Sequence, residues 1–186
     1  SQLTALAQAC EEKFGGVDVI VNNAGLVLPS PLEAHDPAAA QAVLAVNLLA
    51  PGALLAAALP HLQPGAAIVN ISSVNAYLPP RGAALYGASK AAMIGMARTW
   101  ALELAQHGIA VNVVAPGPIL TDNFWGLVEK DSPQQEALAS RIPVGRIGTV
   151  QDVSNAFLFF CNPENSFVTG QTLYVCGGAS VGSLTI

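Results

Sequence analysis

Tyr86 and Lys90 stand four residues apart in LYGASKAAM (85–93), among alanine, glycine and serine, where a long apolar run begins. Residues four apart on a helix are neighbours on one face, so a phenol and an ammonium placed this way can share one small site. A free phenol titrates at about 10, too high for efficient proton transfer at neutrality. A nearby cation favours the phenolate and lowers that value. Ser73 lies thirteen residues before Tyr86, and a hydroxyl there can hold and polarise the oxygen that the phenol protonates. The same residues also read as an ordinary buried polar pair, so the chemistry depends on what positions them.

The elements around them alternate in type. LTALAQACEEKF (3–14) has helical spacing and ends at Gly15-Gly16, and VDVIV opens a β-branched strand that closes in the polar turn NNAG (22–25). Asp36 followed by Pro37 is a capping residue with proline in the first turn, and predicts a helix to about His61. AAIVNISS (66–73), IAVNVVAPG (109–117) and QTLYVCGG (171–178) read as buried strands. Helices are expected from Ala84 to Gly108 and from Asp152 to Cys161, with an irregular 118–148 segment holding two short ones. Strands apolar throughout, separated by helices, predict an α/β fold with a parallel sheet covered on both faces. In such sheets ligands bind beyond the carboxyl ends of the strands. NNAG, SSVN (72–75), APGPILT (115–121) and CGG (176–178) all fall there. Each alone is a strand-to-helix turn; together they outline a crevice. Ser72 and Ser73 should face opposite ways, because strand side chains alternate.

Composition narrows the classes. Hydrophobic residues make up 52% and charged ones 10%, against roughly 25% charged in typical soluble domains. So sparse a charged surface predicts cover by other subunits. The net charge of -5, without a basic cluster, argues against nucleic acid and anionic membrane partners. Cys10, Cys161 and Cys176 have neither ligand spacing nor an even number, which fits a reducing cytoplasmic setting with no disulfide and no metal site. His35, His61 and His107 are isolated and read as solvated. Pro37–Pro60 is long and apolar enough for a membrane span. Gln41, Asn47 and Pro51-Gly52 favour a buried soluble helix bent at the proline instead, and no signal peptide is read ahead of it.

Ser73, YGASK (86–90), NNAG (22–25), PGPILT (116–121) and Asn47 in AVNLLA (45–50) together resemble the short-chain dehydrogenase/reductase superfamily in its classical, 3-oxoacyl reductase-like branch. The resemblance covers all 186 residues, and both motif spacings match. It implies a Rossmann-type doubly wound sheet, NAD or NADP as cofactor, and hydride transfer between nicotinamide and a secondary alcohol or ketone. It implies Tyr86 as general acid in reduction and base in oxidation, with Lys90 lowering its pKa and binding the nicotinamide ribose. Ser73 would orient the carbonyl, and Asn47 would hold a water that passes protons to Lys90. Asn22, Asn23, Ala24 and Gly25 would line the adenosine side of the cofactor; Pro116, Gly117, Ile119 and Thr121 would meet its nicotinamide end. A secondary reading has Asn47 filling a local bend before Pro51, and Thr121 can cap a following helix as well.

The family's glycine-rich dinucleotide turn, and the residue that chooses between NAD and NADP, do not occur in this sequence. Residues 1–186 are therefore expected to form one Rossmann-fold domain without its first strands, part of a longer chain, with 118–148 as the substrate-loop region. A protein truly beginning at Ser1 should bind cofactor weakly. The VDVIV strand should be an exposed edge with both apolar faces bare. The 87–107 helix is small or apolar nearly all round and needs burial on every side. In the family this helix and the 37–60 helix build a dimer interface, which predicts a homo-oligomer, dimer or tetramer. Leu26, Val27, Leu28, Asn75, Tyr77, Leu78, Phe124, Trp125 and Leu127 should form an apolar substrate wall. Arg81 and Arg141 are candidates for an acyl carrier or coenzyme A tail. A 3-oxoacyl thioester, a cyclic or secondary alcohol and a steroid-like ketone all suit that wall. A non-catalytic binding or scaffold protein on the same fold is the alternative.

Overall fold

The computed structural model describes residues 2–181. Helix α1 (Gln2–Phe14) stops at Gly15, whose φ of 79° suits glycine and whose N–H donates to Glu11 O at 2.8 Å. Strand β1 (Val17–Asn22) follows. Asp36 caps α2 (Pro37–Leu44) by accepting from Ala38 N at 2.9 Å. The apolar helix does continue to His61, but its irregularity falls ahead of Pro51: a π turn spans Ala45–Leu49, between α2 and α3 (Ala50–Ala58). The reason is local. Pro51 has no N–H, so the carbonyl of Asn47 loses its α-helical donor and the ladder widens by one residue.

Strands β2 (Leu62–Ile71), β3 (Ala110–Pro116) and β4 (Thr172–Val175) complete one parallel sheet in the order β1-β2-β3-β4. Between them lie α4 (Ala84–Ala105), the short α5 (Asp122–Trp125) and α6 (Pro133–Ser140), and α7 (Val150–Cys161). Helix α7 starts two residues before the expected Asp152, because Thr149 and Asp152 cap each other's backbone in a capping box.

Both sheet faces are apolar because both receive helices. On one face Ala7 of α1, Leu55 of α3, and Ala97, Ala101 and Leu104 of α4 pack on Ile20, Ile68 and Val111. On the other, Ala156 and Phe160 of α7 pack on Val69 and Val114. Helix α7 does not reach β1, so Val19 and Val21 are 39% and 41% exposed on that side. Ile20 is buried on the helix side, so the edge strand is bare on one face only, not on both.

Pro37–His61 is long and apolar enough to cross a membrane by composition alone, yet it is seated on α1, α4 and β1 through Val43, Leu55 and Ala58. Its outward Leu49 and Leu59 are exposed, as is Leu102 on α4. Helix α4 is therefore buried along one stripe, Met93-Ala97-Ala101-Leu104, and open along the other.

Candidate functional site

The carboxyl ends of β1, β2 and β3 open onto a cleft of about 550 Å³. Asn23, Ala24 and Gly25 form one wall, Ser73, Tyr86 and Lys90 the floor, and Pro116, Gly117, Ile119 and Thr121 the other wall. Of the candidate site residues only Asn22 and Asn47 lie outside this lining. Asn22 is buried and donates from Nδ2 to Asn70 Oδ1 at 2.7 Å, so its amide joins two strands and is not presented to a cofactor. Residue 22 is the last of its strand, and its side chain alternates inward where Asn23 turns out.

The cleft floor is set by a strand end and a helix start. Ser73 ends the β2 run and accepts from Asn75 N at 3.1 Å, beginning a short 3-10 turn over Val74–Ala76. Gly87 lets α4 begin directly beneath that turn; a Cβ there would lie 2.9 Å from Asn75 O. Tyr86 is thereby brought beside Ser73 on the floor of the cleft. Ser72 faces the other way and donates from Oγ to Lys90 O at 2.8 Å, which fastens the turn after Tyr86 to β2. The two serines divide the work as strand alternation dictates.

The electrostatics differ from the sequence expectation. Burial raises the Tyr86 phenol above its ordinary value, and the Ser73 hydrogen bond only partly opposes it. Lys90 does not lower it. Its Nζ donates to Ile71 O at 2.8 Å and stands 5.8 Å from the centroid of the Tyr86 ring, over the ring and not at the phenol oxygen. The ammonium is 3% exposed, forms no ion pair among the described residues, and is pulled by burial from 10.5 to about 8. Four-residue spacing placed the groups side by side; tertiary burial decided which protonation state each favours.

Asn47 sits at the centre of the π turn and is wholly buried. Its Oδ1 accepts from Leu26 N at 2.7 Å, and its Nδ2 donates to Leu26 O at 2.9 Å and to Ser89 Oγ at 3.0 Å. Both amide hydrogens are committed, so this side chain cannot donate to the expected relay water; only its carbonyl oxygens have lone pairs to offer one. What the amide does is clasp the backbone just after Gly25. A Cβ on that glycine would lie 3.4 Å from Lys90 Nζ, in van der Waals contact with it.

The far wall is shaped by close packing. A Cβ on Gly117 would fall 2.9 Å from both Cα and Cβ of Cys176. Gly117→Ala is expected to force the ends of β3 and β4 apart and to cost about 1–3 kcal/mol; a lowered urea midpoint at unchanged slope reads this. Thr121 lines the cleft and also caps α5, accepting from Phe124 N at 3.3 Å.

Val150 and Val153 of α7 complete the lining and were not foreseen. The Thr149-x-x-Asp152 box was the available signal. Arg146 holds that box with hydrogen bonds of 2.7 and 2.9 Å to Asp152, keeping its carboxyl well below the usual range. The expected apolar wall is mostly elsewhere: only Val27 lines the cleft, while Tyr77, Leu78 and Leu127 are exposed on the surface. Phe124 and Trp125 pack edge to face on each other, 5.1 Å apart. Arg81 and Arg141 are exposed and outside the lining.

A parallel sheet with a crevice at its carboxyl edge, glycine-lined walls and a Ser–Tyr–Lys floor defines a dinucleotide-type α/β protein. The comparisons make the class specific. A family model described as enoyl-(acyl carrier protein) reductase matches residues 1–180. The chain is 39% identical over 179 residues to a 3-oxoacyl-(acyl-carrier-protein) reductase of Thermotoga maritima, covering 95% of this chain and 72% of that protein. It is 38% identical over 182 residues to a 3alpha-hydroxysteroid dehydrogenase of Mediterraneibacter gnavus, covering 96% and 71%. A gluconate 5-dehydrogenase from Burkholderia cenocepacia, crystallised with NADP and tartrate, superposes with a TM-score of 0.89 at 31% identity, covering 98% of this chain and 72% of that one. The chain belongs to the short-chain dehydrogenase/reductase superfamily.

Proposed function

We propose that the chain carries the catalytic portion of an NAD(P)-linked oxidoreductase that interconverts a ketone and a secondary alcohol. The convergence of Ser73, Tyr86 and Lys90 on the floor of one cleft carries this reading. A nicotinamide dinucleotide, when bound, supplies the hydride. The residues present fit its nicotinamide-ribose end: glycine, alanine and small polar side chains line both walls, and the volume lies within the usual range of ligand sites.

Tyr86 is the proton donor in reduction. The phenol is protonated at neutral pH, which is the form that can donate to a developing alkoxide, and burial makes it a weaker acid that a bound cofactor and substrate must assist. Ser73 places the substrate oxygen, and Lys90, with one N–H on Ile71 O, has its remaining donors for the nicotinamide ribose. Among the described residues Lys90 is the only charged one lining the cleft, and it already donates to Ile71 O. Valines at 27, 150 and 153 favour an apolar ketone over a sugar acid.

Titration of the native protein with NADH and with NADPH, followed through Trp100 and Trp125 fluorescence, tests the proposal together with a ketone panel. Binding of one cofactor with turnover of at least one ketone is expected. Failure of both cofactors to bind would overturn it in favour of the scaffold alternative.

The same reading includes assembly as a homo-oligomer, supported by the exposed Leu49, Leu59 and Leu102 on neighbouring helices. Light scattering is expected to give a dimer or tetramer at micromolar concentration. Leu49→Glu with Leu102→Glu should shift it to monomer, because each places a charge in an apolar contact. A monomeric native protein would remove this part of the proposal.

A further inference from the structure

We propose that Ser89 is a positioning residue that registers the Tyr86 turn of α4 against the 22–26 loop, with Asn47 as the shared partner. The inference rests on the reading of Tyr86 as proton donor and adds to it a group that touches neither substrate nor cofactor.

Ser89 Oγ donates to Tyr86 O at 2.7 Å and accepts from Asn47 Nδ2 at 3.0 Å. Asn47 in turn holds both the N–H and the carbonyl of Leu26. One hydrogen-bonded chain therefore runs from the backbone just past Gly25, through an amide and a hydroxyl, to the carbonyl of Tyr86 itself. Ser89 and Asn47 are each 0% exposed, so water cannot substitute at either.

A serine that bonds a carbonyl three residues back is common in helices and by itself means little. Ser89 differs because a second element donates to the same oxygen. An amide nitrogen can only donate, so the Ser89 proton is committed to Tyr86 O and the chain has one direction. The π turn is what brings Asn47 within reach.

The next residue is held from the opposite side, with Ser72 on the carbonyl of Lys90 and Ile71 O on its ammonium. The turn 86–90 is thus gripped from β2 on one flank and from the 45–49 turn on the other. An alanine at 89 removes one grip, and leaves an Asn47 amide hydrogen buried without an acceptor.

The test is a double-mutant cycle in the full native chain, comparing Ser89→Ala, Asn47→Ala and the double variant, with Ser89→Cys and Tyr86→Phe alongside. kcat for ketone reduction and the NADPH dissociation constant are measured well below every unfolding midpoint. Ser89→Ala should lower kcat on the order of tenfold, through misplacement of the phenol, and should weaken NADPH binding. The double variant should be no worse than Asn47→Ala, because both act through one link. Ser89→Cys, whose thiol donates and accepts weakly, should recover part of the loss.

A Ser89→Ala enzyme with native kcat and native NADPH affinity, and only a lower unfolding midpoint, would reduce Ser89 to a packing residue. Losses that multiply in the double variant would break the proposed chain. Turnover that survives in Tyr86→Phe rejects the proton-donor reading; turnover lost there but kept in Ser89→Ala rejects the positioning role alone.

Discussion

Tyr86→Phe is expected to lower ketone turnover by about 10²–10⁴-fold, the usual contribution of a positioned proton donor, while leaving NAD(P)H affinity unchanged. The substitution removes one oxygen beside Ser73 and keeps the ring at the start of α4. Its folding cost should stay near that of one hydrogen bond, roughly 0.5–1.5 kcal/mol. Loss of activity therefore cannot be assigned to unfolding if the urea midpoint is measured in the same preparation. The decisive comparison is between cofactor binding, read by fluorescence, and turnover. Both persisting would remove Tyr86 from the chemistry and return it to a buried polar residue.

Lys90→Met should do something different: abolish turnover and stabilise the fold. Lys90 is almost fully buried with one carbonyl partner and no carboxylate, which is why its pKa falls from 10.5 to about 8. Below pH 8 the ammonium is charged in both states, and the folded state carries the whole cost of burying it. Between about 8 and 10.5 the unfolded chain binds the proton and the folded chain does not, so native stability rises with pH across that window. The penalty at neutral pH is on the order of 3 kcal/mol. Methionine, of similar length and without charge, should recover part of it, so the urea midpoint of the variant should exceed the parent's at pH 7. That gap should narrow by pH 10 as the parent gains stability. A variant less stable than the parent at pH 7 would mean that the Ile71 hydrogen bond outweighs desolvation. An enzyme that keeps a buried cation at this cost shows the usual opposition between stability and a working site.

Much of the fold was legible because its signals are local. Asp36-Pro37, Gly15 after an amphipathic run, and apolar strands closed by polar turns each act through a few neighbouring residues. The helix and strand order follows from them, and so does the convergence of NNAG, SSVN and PGPILT on one edge. Where the structure departs from the local pattern, the cause is a competing contact. Helix α7 began early because Thr149 caps it. The bend at Pro51 became a π turn upstream, because the missing N–H is felt four residues earlier. Tyr77 and Leu127 leave the substrate wall because a hydrophobic residue in a loop can face solvent, where periodicity is silent, and Phe124 in α5 packs on Trp125 instead.

The sequence alone determined the chemistry available at the cleft: a phenol, an ammonium and a hydroxyl at spacings that a strand end and a helix face must bring together. Covalent spacing and backbone periodicity suffice for that, since both are properties of the chain. Only the tertiary structure decided the state of those groups. It put Lys90 on Ile71 O and not on the phenol, raised Tyr86, turned Asn22 into the sheet, and committed the Asn47 amide to Leu26 and Ser89. Burial and hydrogen-bond partners come from segments far apart in the chain, and they set protonation and orientation through desolvation, which no local pattern encodes.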